Sequence, residues 1–75
     1  LLIVRDGRKY GFEAKLTRSP RITPSMRSAL DALGLEHLFV ICHGDEPPWP
    51  LAERITAVPL GVLPRWAAQS GLAAA

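Results

Sequence analysis

The spacing of apolar positions changes along the chain, from alternate residues to every third or fourth and then to an unbroken run. Each change marks an element. Leu1 to Arg5 is β-rich, Asp6-Gly7 is a pair favoured for the positive φ angles of a tight hairpin turn, and Lys9 to Leu16 follows as a second strand. In that strand Tyr10, Phe12, Ala14 and Leu16 alternate with Gly11, Glu13 and Lys15, so one face is apolar and the other carries two charges. Thr23-Pro24 reads as an N-cap followed by proline at the first helical position, where no backbone bond is lost. Met26, Ala29, Leu30 and Leu33 keep the spacing of a buried stripe, Arg27 and Asp31 share the opposite side, and Gly34 suits the left-handed position past a helix end. The spacing predicts a helix from about Pro24 to Leu33.

Leu38-Phe39-Val40-Ile41-Cys42 is apolar throughout, which suits a strand covered on both faces. Strand, helix, strand predicts a parallel crossover. Asp45-Glu46-Pro47-Pro48-Trp49-Pro50 is expected to be irregular, because its prolines remove donors and fix φ. Ile55 to Val58 reads as a further short strand. Leu60 to Ala68 reads as a helix that Gly61 and Pro64 weaken or delay to Pro64. Residues 1–69 then form a single α/β domain of hairpin, crossover helix, buried parallel strand, short strand and C-terminal helix, with 70–75 as a frayed tail.

Composition narrows this only a little. A chain of 75 residues with 48% hydrophobic and 21% charged residues fits one small globular domain and argues against collagen-like, coiled-coil or wholly disordered classes. Apolar runs fall short of the ~18 residues of a membrane span, and LLIVRDG lacks the order of a signal peptide, so no membrane partner and a cytoplasmic location are expected. The lone Cys42 has no thiol partner for a disulfide or a Cys-based zinc site. The opening run reads as mid-strand and lacks methionine, so the chain reads as a fragment with something before Leu1.

Charge changes the picture more. Of nine basic residues, seven (Arg5, Arg8, Lys9, Lys15, Arg18, Arg21, Arg27) lie in the first 27 positions against Asp6 and Glu13, whereas the rest of the chain holds two basic residues and five acidic ones. A basic end suits a phosphate backbone, although surface arginines also serve solubility. Within it, Glu13-Ala14-Lys15 places a carboxylate and an ammonium on one face of a strand. That combination suits metal-assisted phosphodiester cleavage, with Glu13 as a hard oxygen ligand for magnesium and Lys15 as the catalytic lysine. A magnesium site needs a second carboxylate. If Asp6-Gly7 is a two-residue turn, Arg5 faces Arg8, Ile3 faces Tyr10 and Leu1 faces Phe12, so Glu13 faces the position before Leu1, about 5 Å away. Asp6 cannot serve, being roughly 20 Å off along an extended strand. Without context, an E-x-K tripeptide is more often a weak surface pair.

The order of hairpin, E-x-K on the second strand, helix and buried parallel strand resembles the core of the PD-(D/E)xK nuclease-like superfamily, which has a restriction-endonuclease-like fold. More closely, positions 1 to 60 resemble the uncharacterised C-terminal domain of bacterial and archaeal AAA-type ATPases. The motifs are Leu1-Leu2-Ile3-Val4, Gly11-Phe12-Glu13-Ala14-Lys15, Pro20, Ser25-Met26-Arg27, Gly34-Leu35 and His43-Gly44-Asp45. In that family an aspartate precedes the first of these, at the position facing Glu13. The resemblance implies an N-terminal ATPase module in the parent protein and a magnesium ion bound only with that upstream acid. As a fragment, the chain is expected to be incomplete and inactive. A catalytically silent interaction or oligomerisation module is the competing expectation.

Other polar and aromatic residues have structural roles that suffice. His37 and His43 flank a buried strand about 20 Å apart, too far to share a metal. Cys42 suits a small buried apolar group, Trp49 a loop anchor and Trp66 a packed ring. Arg18 and Arg21, just beyond the E-x-K strand, are the candidate nucleic-acid-binding residues. A symmetric dimer is expected, through Leu1, Ile3, Tyr10 and Phe12 or through Leu60 to Trp66, because a core this small supplies only about 3–5 kcal/mol.

Overall fold

Asp6 and Gly7 both take positive φ, 53° and 76°, as a two-residue hairpin turn requires, and they join β1 (Leu2–Arg5) to β2 (Arg8–Ala14). The computed structural model describes residues 1–71. Its hairpin register pairs Leu2 with Gly11, Ile3 with Tyr10, Val4 with Lys9 and Arg5 with Arg8. Phe12 N–H donates to Leu1 O at 2.8 Å, extending that register by one residue, as expected. β2 ends at Ala14, two residues short of the predicted Leu16. Leu16 is 88% exposed and does not join the apolar face, because the chain turns away from the sheet there.

The helix α1 spans Pro24–Leu33. Thr23 Oγ1 accepts from Met26 N–H at 3.3 Å, and Pro24 opens the first turn. At the other end Gly34 adopts φ 64°, its N–H donates to Asp31 O, and Leu35 N–H donates to Leu30 O. This closure brings Leu35 back onto Leu30. Leu35 therefore fills the core position expected of Leu33, which is left 51% exposed.

The parallel crossover is present. β3 (His37–Cys42) lies between β2 and β5 (Ile55–Pro59), parallel to both, and the sheet order is β1-β2-β3-β5-β4. The fold is mixed α/β with a five-stranded sheet. β4 (Trp49–Ala52) corrects the expectation of an irregular loop: Trp49 and Pro50 pair with Ala57 and Thr56, and a register shift follows at Leu51. Proline is tolerated there because β4 is an edge strand, with one side of its backbone free of partners. Only Asp45 to Pro48 remains irregular.

After β5 a 3-10 turn over Leu60–Val62 leads into α2 (Leu63–Ser70), so the helix starts beside Pro64 and runs past Ala68. Ser70 closes α2 and Gly71 takes a left-handed φ of 82°. The rest of the expected tail lies outside the described residues. Met26, Leu30, Leu35, Leu38, Val40 and Ile55 form the core on one face of the sheet. Trp66 of α2 packs edge-on against Phe12 and Phe39 on the other, at centroid separations of 6.2 and 4.7 Å. Gly11 faces α1, where a Cβ would lie 2.7 Å from Leu35 Cδ1. A side chain there would collide with the residue that closes the helix.

Candidate functional site

The carboxyl ends of β2, β3 and β5 lie side by side, the region of an open α/β sheet where ligands are usually held. Glu13 is the cross-strand neighbour of Val40 and shares the face packed by α1. Lys15, two residues on, shares that face, and its N–H donates to Ile41 O at 2.8 Å, so the ladder with β3 continues past the end of β2. The Lys15 ammonium lies 3.4 Å from Glu13 Oε2. Both side chains are part-exposed, at 40% and 35%, yet Oε2 itself is buried and accepts no hydrogen bond.

Arg18 stands at this end, on the loop after β2. Arg18 pairs with Glu46 at 3.6 Å on an exposed surface, and Arg21 stands exposed beyond the buried Pro20. The pair holds the loop after β2 beside the loop after β3, helped by His43 N–H donating to Thr17 O at 2.9 Å. Such an exposed pair adds about 0–1 kcal/mol. Glu46 is the polar residue that sequence reasoning missed. Its neighbouring prolines identified the segment as a loop, but not where the loop folds back.

Gly44 makes that fold possible. At φ 125° it sits where a Cβ would come within 2.5 Å of the Glu46 carboxylate. Its carbonyl accepts from Gly61 N–H at 2.8 Å, and a Cβ on Gly61 would lie 2.8 Å from the same oxygen. Two glycines thus let the loops after β3 and β5 touch. Cys42 beneath them is buried, and burial followed by the charge of Glu46 pushes its thiol above its ordinary value of 9.0. It remains a protonated packing group at neutral pH, as expected. His37 lies at the opposite end of β3, where its Nε2 shares a 2.7 Å hydrogen bond with Thr56 Oγ1. Burial, and then the Arg54 guanidinium, hold the imidazole below its ordinary value of 6.5, while Glu36 opposes them.

Over 59 residues the chain is 46% identical to two mycobacterial proteins, Uncharacterized protein Rv2008c of Mycobacterium tuberculosis and Uncharacterized protein Mb2031c of Mycobacterium bovis. It is similar to one part of each. The matched stretch is 79% of this chain and 13% of each relative, so the chain spans a small fraction of the length of the curated relatives it matches. No described protein family and no solved structure matches it.

Among the described residues no three of His, Cys, Asp and Glu stand close enough to hold a metal ion, and no helix is long and apolar enough to cross a membrane. Glu13 Oε2 is a hard oxygen of the kind magnesium prefers, but it faces the Lys15 ammonium at 3.4 Å, and a single carboxylate holds magnesium weakly. The described residues do not make a magnesium site by themselves.

Proposed function

We propose that this chain is a nuclease-like or nucleic-acid-directed module of an AAA-type ATPase, located in the cytoplasm and built on the restriction-endonuclease-like plan. The observation that carries the proposal is the Glu13–Lys15 pair at the carboxyl edge of the parallel strands, with the ammonium 3.4 Å from Oε2 and both side chains part-exposed. The hairpin register supports it independently. Phe12 pairs with Leu1, so the position opposite Glu13 lies one step before Leu1, where the family that the sequence resembles has an aspartate. In a polypeptide carrying that acid, Glu13 would be a metal ligand and Lys15 would neutralise charge developing on a phosphate. Arg18 and Arg21 would meet the nucleic-acid backbone, Arg18 after release from Glu46.

A catalytically silent interaction or oligomerisation module is the second proposal, favoured by the exposed apolar residues of β1, Leu2 at 47% and Val4 at 61%, and by Leu1 just before it at 86%. Cleavage assays on DNA and RNA with magnesium or manganese separate the two. The 75-residue chain is expected to show no divalent-dependent cleavage. A longer polypeptide with an acid opposite Glu13 is expected to cleave, and to lose that activity in Glu13→Gln and Lys15→Gln. Cleavage by the short chain that vanishes in Glu13→Ala would overturn the incomplete-site argument. Inactivity of the longer polypeptide would favour the silent module.

A further inference from the structure

The hydrogen bonds of the hairpin fix which backbone groups of β1 face inward. Leu1 and Phe12 exchange both ladder bonds: Phe12 N–H donates to Leu1 O at 2.8 Å, and the Leu1 amino group donates to Phe12 O at 3.1 Å. In an antiparallel ladder, pairs of this kind alternate with pairs that make no bond to each other. Ile3 and Arg5 are therefore bonded to Tyr10 and Arg8, whereas the N–H and C=O groups of Leu2 and Val4 point away from β2 and out of the sheet edge. Among the described residues no strand lies beyond β1 to receive them.

The side chains of the same two residues are also uncovered, Leu2 at 47% and Val4 at 61% exposure. They stand opposite Gly11 and Lys9 on the face packed by α1, while Leu1 and Ile3 lie on the other face and wall an apolar groove beside Leu63 and Trp66 of α2. Neither charge nor proline interrupts Leu2, Ile3 or Val4, so nothing in the strand discourages pairing. The opposite edge of the sheet is broken by Pro50 and an irregular register, which leaves β1 as the one edge suited to its own counterpart.

We propose that β1 pairs antiparallel with β1 of a second copy, the twofold axis passing between the two Ile3 residues. The bonding pattern selects this register. With Ile3 facing Ile3, Leu2 of each copy faces Val4 of the other, and both pairs are of the kind that exchange two bonds, so every outward N–H and C=O of Leu2 and Val4 is satisfied. Centring the axis on Leu2 would leave Val4 facing a position outside the 75-residue chain. Centring it on Val4 would set Leu2 against Asp6, whose φ of 53° belongs to the hairpin turn and not to a strand. A twofold axis perpendicular to the sheet keeps the faces in common, so the exposed Leu2 and Val4 cover one another on the α1 face and the Ile3 pair joins the two grooves on the other. A contact confined to one short strand buries less than the ~800 Å² per partner of a standard interface, so the pair is expected to form at micromolar and not at nanomolar concentration. The proposal rests on the oligomerisation reading above and supplies its partner and its register.

Cysteines placed along β1 test that register on the 75-residue chain, whose native Cys42 is buried. Directly opposed residues of a non-bonded pair have Cα atoms about 4.5 Å apart, within the span of a disulfide, so Ile3→Cys is expected to form a covalent dimer with oxidised glutathione as the oxidant. In Leu2→Cys and Val4→Cys the two new thiols stand two strand positions out of line, beyond the ~7 Å limit for bridging, and these variants are expected to run as monomers on a denaturing gel. Val4→Pro removes an outward N–H without touching a bond to β2, and is expected to weaken association at least about tenfold in sedimentation equilibrium. Should Val4→Pro fail to fold by circular dichroism, the cysteine series still decides. A native dimer whose Ile3→Cys variant cross-links no faster than Leu2→Cys, or which persists in folded Val4→Pro, would overturn the β1 pairing and leave oligomerisation to another surface. A native chain that is monomeric at every concentration would overturn both.

Discussion

His37 shows how one side chain couples the packing of this sheet to pH. Its ring stacks on Phe39 and hydrogen-bonds Thr56, and burial with Arg54 nearby disfavours the protonated form. The unfolded chain takes up a proton near pH 6.5, whereas the folded chain takes it up only at lower pH. Stability contributed by the neutral ring is therefore present above about 6.5 and lost as pH falls through the folded value. Urea unfolding at pH 7.5 and pH 5.0 is expected to show a larger loss of midpoint for the native chain than for His37→Gln. Equal losses would show that the ring titrates alike in both states. At this scale the sequence made Glu13 and Lys15 legible because period-two alternation alone places them on one face. It could not reveal the pairing of Arg18 with Glu46, which depends on a loop returning across 28 positions and on Gly44 giving the carboxylate room.

Elements were legible where local chemistry determines them. The Thr23 hydroxyl, Pro24 and Gly34 define α1 at both ends without reference to the rest of the molecule, and Asp6-Gly7 sets the hairpin register in the same way. Thr23→Ala removes the acceptor for Met26 N–H and is expected to lower stability by about 1 kcal/mol, measured by urea denaturation. An unchanged midpoint would mean that water replaces the cap. β4 was illegible because its Trp49-Pro50-Leu51-Ala52 sequence has weak strand propensity and becomes a strand only by pairing with β5. The exposure of Leu33 had a similar origin: helical spacing identifies a stripe but not how the chain closes after it, and the Gly34 closure substituted Leu35.

The whole molecule is a thin α/β sheet whose two edges differ. β1 presents Leu2, Ile3 and Val4 with neither proline nor charge before Arg5, and beside it Leu1, Ile3, Phe12, Ile41, Leu63, Trp66 and Ala67 line an open apolar groove of about 290 Å³. The two surfaces from which self-association was expected thus meet in one place. If β1 is the contact, sedimentation equilibrium at micromolar concentration finds a dimer for the native chain and a monomer for Val4→Lys, since Val4 is 61% exposed and its replacement leaves the core intact. A native monomer at every concentration would exclude it. The other edge is blunted by Pro50 and by the register shift at Leu51. A unit with one reactive edge and one blocked edge is the equivalent of a monofunctional reagent. If β1 pairs with a second copy, no open edge remains for a third, and growth would terminate at the pair instead of propagating into a fibre.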